Sequence, residues 1–146
     1  MSKCISGCLS ERTKILLADG SEREISSLRP GDIVKLSNGS SSVVMNMWKG
    51  FEETLIKITT GSGRSIQMTE IHPVLANNDW IKAKDLKIDD ILSTIGDDTP
   101  YFCKIIKIEH IEYKDFVYNL DFENDNSSFY ANGIVVGDFN MQNSML

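Results

Sequence analysis

The chain matches itself. Without a gap, KILLADG (residues 14–20) falls on HPVLANN (72–78), and ISSLRPGDIV (25–34) falls on AKDLKIDDIL (83–92). Leu16, Leu17, Ala18, Leu28, Asp32, Ile33 and Val34 thereby meet Val74, Leu75, Ala76, Leu86, Asp90, Ile91 and Leu92. A weaker echo sets FEETLIKI (51–58) over YKDFVYNL (113–120). A repeat restricts a fold severely, because a unit too small to bury its own apolar face must bury it against its copy. Two copies are too few for a solenoid, so the expected arrangement is a pair of similar subunits closing one core about a pseudo-twofold axis.

The segments that repeat read as strands. Lys14–Leu17, Ile33–Leu36, Ser42–Met47, Thr54–Thr59, Ser65–Met68, Phe102–Ile108, Phe116–Phe122, Ser128–Tyr130 and Ile134–Val136 are rich in Ile, Val and Phe. Gly, Asn, Asp or Pro bounds them, as expected of short strands in an all-β domain. Helix is the minority state, confined to turns over Glu24–Leu28 and Ala83–Leu86, each ending before a Pro-Gly-Asp or Ile-Asp-Asp turn. At 146 residues the chain has the size of one domain with a real core.

Composition excludes several classes. Fifteen Lys and Arg stand against 21 Asp and Glu, for a net charge of -6, and the cations are scattered among acids, which disfavours nucleic-acid binding. No stretch is long and apolar enough to cross a bilayer, and the first residues, MSKCISG, lack the apolar core of a signal peptide. A soluble monomer is expected; if the domain is cut from a longer precursor, its location follows that host. Three Cys and two His leave no zinc spacing, since Cys4 and Cys8 are not followed by a second pair. No metal or cofactor is expected. A Cys4–Cys8 bridge remains open, and at least one Cys is left as a nucleophile.

The two halves differ where chemistry would lie. The first begins with Cys8-Leu9-Ser10 after the small Gly7; the second begins with Thr69-Glu70-Ile71-His72. Alone, Cys8 reads as a packed thiol and His72 as a turn or strand-edge histidine before Pro73. Pseudo-symmetry brings thiol, hydroxyl and imidazole toward one pole, and a thiol beside a titratable imidazole is a nucleophile and acid/base pair.

Four blocks in order resemble the Hint superfamily, which comprises inteins, bacterial intein-like domains and hedgehog-type autoprocessing domains. Cys8-Leu9-Ser10-Glu11-Arg12-Thr13 resembles the N-terminal motif; Gly20 and Arg29-Pro30-Gly31-Asp32 the following turns; Gln67-Met68-Thr69-Glu70-Ile71-His72-Pro73 the Thr-x-x-His block. Val117–Leu120 with Phe129–Val136 resembles the C-terminal block. The resemblance implies a minimal horseshoe of two β-subunits without a homing endonuclease, for which the Leu92–Phe102 connection is too short. It implies self-processing: Cys8 attacks the Gly7 carbonyl in an N-to-S acyl shift, His72 protonates the departing nitrogen, and Thr69 bonds the same peptide. The partners implied are the flanking segments of its own precursor. Residues 1–7 would be a flank, 8–138 the Hint domain and 139–146 a tail.

The resemblance breaks near the end. Gly137-Asp138 stands where the family has His-Asn, and an ionised Asp138 lacks the amide nitrogen that closes a succinimide. The block's other common His falls near Ser127, and its frequent Asp falls on Asn119. The tail offers Asn143 as a displaced cyclising residue and Ser144 as an acyl acceptor, against the bland reading of a polar terminus. Two other classes compete. A trans-acting cysteine hydrolase would need an open cleft and an orienting Asn or Asp, which no pattern marks. A degenerate β interaction module is opposed by the presence of Cys8, Thr69 and His72 and favoured by Gly137-Asp138.

Overall fold

The computed structural model describes residues 7–96, 101–124 and 127–144, with side chains up to Met141. Twelve strands form one continuous hydrogen-bonded sheet, and the described residues hold one α-helix. The first subunit runs β1 (Leu9–Ser10), β2 (Lys14–Leu16), β3 (Glu22–Glu24), a 3₁₀ turn (Ile25–Ser27), β4 (Ile33–Lys35), β5 (Ser41–Thr60) and β6 (Ser65–Met68). The second runs β7 (Pro73–Ala76), β8 (Asp79–Lys82), a 3₁₀ turn (Ala83–Asp85), β9 (Ile91–Thr94), β10 (Tyr101–Phe122), β11 (Ser128–Ala131) and β12 (Ile134–Gly137). Helix α1 (Phe139–Ser144) closes the chain.

The duplication is visible in the backbone. β2 pairs β3 in one copy and β7 pairs β8 in the other; both hairpins lead into a 3₁₀ turn and then a short strand on the next long one. Hydrogen bonds repeat as well: Leu28 N–H to Ile25 O becomes Leu86 N–H to Ala83 O, and Gly31 N–H to Val44 O becomes Asp89 N–H to Ile105 O. Both expected helical turns are therefore present, as single 3₁₀ turns. Asp32 and Asp90 explain where each stops, because each carboxylate accepts a backbone N–H three residues earlier, from Arg29 and Lys87, at 2.8 Å.

The long strands differ from expectation. Ser42–Met47 and Thr54–Thr59 are parts of one strand, β5, and Phe102–Ile108 and Phe116–Phe122 are parts of β10. These two strands pair antiparallel along most of their length, from Ile105↔Thr60 to Phe122↔Val44, with register shifts that bend the ribbon. The stretches between the expected strands continue the pairing, with Gly50 and Glu52 buried and Ile111 and Tyr113 packed against the cluster of Cys8, Leu55 and Val117. The copies interlock where β11 of the second subunit pairs β2 of the first, at Ala131↔Ile15. Phe129, Leu9, Ile15, Ile25, Leu28, Ile58, Ile66, Met68, Leu92, Ile105, Leu120 and Ile134 are all fully buried in the shared core. Packing of this kind removes the apolar faces of both units from water, which neither would achieve alone.

Candidate functional site

β1 is only two residues long, yet it is held on both sides. Leu9 faces Tyr118 and Ser10 faces Val117 on β10, while Leu9 faces Met68 on β6. This places the preceding Gly7–Cys8 peptide against the end of β6, where Thr69 begins the next turn. Cys8 is fully buried in a small apolar cluster with Leu55 and Val117, and its sulfur is disulfide-bonded. Cys4 lies outside the described residues, and Cys103 is a free thiol remote in the chain, on β10. The Ser62 and Thr60 hydroxyls lower the Cys103 thiol pKa.

Thr69 grips the Cys8 backbone from both ends. Its Oγ1 accepts the Cys8 N–H at 2.9 Å, and its own N–H donates to the Cys8 carbonyl at 3.0 Å. The hydroxyl also approaches the same carbonyl at 3.4 Å. The turn that follows returns His72 N–H to Thr69 O at 3.3 Å, and Ala83 N–H on the second 3₁₀ turn donates to His72 O at 3.0 Å. The histidine is thus fixed by backbone bonds, and its ring enters the core.

His72 is fully buried, and neither ring nitrogen has a hydrogen-bond partner among the described residues. Burial pushes its pKa from 6.5 down to about 4, with backbone groups of Gly7 and Gly137 pulling the other way. The ring is therefore neutral at pH 7 and lies between the two ends of the domain. Contact with Gly7 is tight: a Cβ there would come 2.7 Å from His72 Cα and 3.0 Å from Nδ1. Only glycine fits before Cys8 without displacing the histidine.

Asn119 on β10 also lies at this site, although the sequence did not single it out for a role. It is fully buried; its Oδ1 accepts Leu120 N–H at 2.7 Å and its amide NH2 donates to the Gly7 carbonyl. The available signal was its place in the C-terminal block, where the family's Asp is usual. His110, the second histidine, is exposed on β10 opposite Ile56 and takes no part.

At the other end, β12 closes with Gly137, whose neighbour Asp138 is fully buried. Asp138 N–H donates to Ser127 O at 3.0 Å, and its Oδ1 accepts Met141 N–H at 2.8 Å, the geometry of a helix N-cap. A Cβ on Gly137 would meet Met141 Cγ at 2.6 Å and Pro73 Cγ at 3.0 Å. Helix α1 thus fills the space that a histidine at Gly137 would need, and Phe139 stacks on Trp48 at 4.5 Å. Asn143 and Ser144 end α1, with side chains outside the described residues. Among the described residues no three His, Cys, Asp or Glu side chains gather as a metal site, and no helix is long and apolar enough to cross a membrane.

The fold is shared with solved inteins. The gp41-1 intein is 26% identical with a TM-score of 0.77 over 89% of this chain and 97% of its own. A DnaB intein from Synechocystis sp. PCC 6803 is 20% identical with a TM-score of 0.82 over 91% of this chain and 99% of its own, a likeness of fold. An uncharacterised protein of Methanocaldococcus jannaschii is 31% identical over 93 residues, 60% of this chain, which spans 13% of that relative's length. The Hint-domain family Vint matches residues 7–98, well over half of the chain. The chain belongs to the Hint-domain family, as an intein-like self-processing domain.

Proposed function

We propose that this domain cleaves its own precursor at the Gly7–Cys8 peptide through an N-to-S acyl shift, residues 1–7 being the flank, 8–138 the working domain and 139–146 a retained tail. The observation that carries this reading is Thr69 Oγ1 on the Cys8 N–H at 2.9 Å, with His72 packed against Gly7. Reduction of the Cys8 disulfide comes first, because only a thiolate attacks. Neutral His72 then takes the Sγ proton, an assignment its depressed pKa suits better than that of a resting acid. The sulfur adds to the Gly7 carbonyl carbon, the carbon–nitrogen bond breaks, and the proton held by His72 passes to the Cys8 nitrogen. The product is a Gly7 thioester and a free amine on Cys8. Thr69 holds the nitrogen in place throughout, and an added thiol or water releases the flank.

Several features support retention of the C-terminal end. Asp138 is engaged as the cap of α1, Gly137 supplies no imidazole, and Met141 fills the adjoining space. Burial of Cys8 and His72 also supports a reaction on the chain's own peptide rather than on an outside substrate.

Intact-mass measurement tests the reading. A passenger protein is fused ahead of Met1, the disulfide is reduced with a phosphine, and a small thiol is added. The expected result is a passenger ending at Gly7 and a domain retaining its tail, both lost in Cys8→Ala. Release of the Gly7-ended passenger from Cys8→Ala would overturn the nucleophile assignment. A product joining Gly7 to Ser144, with an Asn143 succinimide, would replace cleavage by splicing at the displaced junction.

A further inference from the structure

We infer that Asn119 is a catalytic residue of this reaction, the donor that holds the oxyanion formed on the Gly7 carbonyl; the inference rests on the acyl-shift reading above. Orientation is settled by two opposed partners. Leu120 offers an N–H, which only Oδ1 can accept, and Gly7 offers a carbonyl oxygen, which only Nδ2 can bond. The amide is therefore locked, with its NH2 on the oxygen that gains charge as sulfur adds.

Other groups near the site are committed elsewhere. Thr69 Oγ1 accepts from Cys8 N–H and lies near the Cys8 carbonyl, one peptide further on. The His72 ring lies beside Gly7, but neither of its nitrogens meets hydrogen-bond geometry with a described residue, and in the proposed reaction the ring is occupied with the proton in transit. Asn119 is thus the side-chain donor to the Gly7 carbonyl among the described residues. It is fully buried on a paired strand, facing Trp48 of β5 across the ribbon, so it needs no rearrangement as charge develops. A preorganised donor in a water-excluded site stabilises the transition state more than the resting amide.

The electron count is simple. Sulfur's lone pair forms the carbon–sulfur bond, and the carbonyl π pair moves onto the Gly7 oxygen, facing the Asn119 NH2. That pair then re-forms the carbonyl as the bond to Cys8 nitrogen breaks, and the nitrogen takes the proton carried by His72. An amide suits this role where a carboxylate would not: ionised, the family's usual Asp has no proton to donate.

The test compares Asn119→Ala and Asn119→Leu with the parent, all as full chains with a passenger ahead of Met1. Loss of one such donor slows single-turnover thiol cleavage by about 10²–10³-fold. In a Cys8→Ala background that traps the peptide, the ¹³C shift of the Gly7 carbonyl, read through the amide of residue 8, moves upfield in both variants. Unchanged rates in a cleaving parent would overturn the inference. Slower cleavage with an unmoved Gly7 carbon would also overturn it, since the effect would then be indirect. A parent that never cleaves with thiol defeats the acyl-shift reading itself, a result distinct from either.

Discussion

Two turns in this molecule share one frame and do opposite things. Ser10–Thr13 and Thr69–His72 occupy equivalent places in the backbone of the two subunits, one residue out of step with the sequence match that sets Lys14 on His72: Thr13 N–H donates to Ser10 O as His72 N–H does to Thr69 O. Ile25 N–H on the first 3₁₀ turn meets Thr13 O as Ala83 N–H on the second meets His72 O. In the first copy the side chains satisfy each other, Ser10 Oγ lying 2.8 Å from Thr13 Oγ1. In the second they do not: Thr69 turns to the Cys8 N–H, and His72 faces Gly7 with an unpartnered ring. The copy that leaves a buried ring without partners is the one aimed at the Gly7–Cys8 peptide, as expected if function overrides local satisfaction there.

The comparison is broken most severely at His72. If His72 carries the proton as proposed, His72→Ala should slow thiol cleavage by about 10²–10⁴-fold, the usual range for general acid–base groups. Single-turnover release of the passenger measures it. Thr13→Ala, the equivalent change in the first copy, should leave the rate unaltered once folded. Equal losses in the two variants would mean that both turns serve only the fold.

Acid separates the turns next. His72 is neutral when folded, with a pKa of about 4, whereas an unfolded histidine titrates near 6.5. Below pH 6.5 the unfolded chain therefore binds the extra proton, and stability falls until the folded group also titrates. This contribution is complete above about pH 6.5, is lost as pH falls to about 4, and amounts to about 3 kcal/mol. Urea unfolding at a series of pH values should show the slope in the parent and its absence in His72→Gln. Ser10 and Thr13, the counterparts of Thr69 and His72, do not ionise in this range and add no such slope.

Ser10→Ala tests the closed copy. It leaves Thr13 Oγ1, on a residue 1% exposed, without its partner, at a cost of about 1–3 kcal/mol in stability. Thermal unfolding should register the loss, while cleavage by the folded fraction stays at the parent rate. A slowed reaction without a lower midpoint would move Ser10 into the reacting site.

Much of this was legible because repetition and chemistry coincide in the sequence. The ungapped match of 25–34 with 83–92 anticipated both 3₁₀ turns and the strands after them. Cys8, Thr69 and His72 were expected at one pole, and the fold places them there. The long ribbon was not legible, because MWKGFEE in β5 lacks an apolar alternation and is held by pairing with distant β10. Nor was Asn119, whose hydrogen bond reaches a carbonyl 112 positions away in the chain. Met141 against Gly137 was hidden for the same reason, since a filled space is a property of packing and leaves no pattern in residue types.

The smallest difference between the copies is a backbone one, in the turns after each 3₁₀ segment. Gly31 sits at φ 101° in the first copy and Asp89 at φ 74° in the second, both donating N–H to the long strand of their own subunit. Glycine adopts that region freely, whereas a side chain costs roughly 1–2 kcal/mol there, somewhat less for Asp. Replacing Asp89 by Gly removes that strain and adds unfolded-chain entropy of about 0.4–1 kcal/mol, leaving a gain of about 0.5 kcal/mol. The midpoint of thermal unfolding should rise by about 1–2 °C for a chain of this size. A lower midpoint for Asp89→Gly would show that the Asp89 side chain supplies a compensating interaction, and that the copies diverged here for stability. Because this turn lies apart from Gly7 and Cys8, the cleavage rate should not change, which separates drift between the copies from the specialisation of the Thr69–His72 turn.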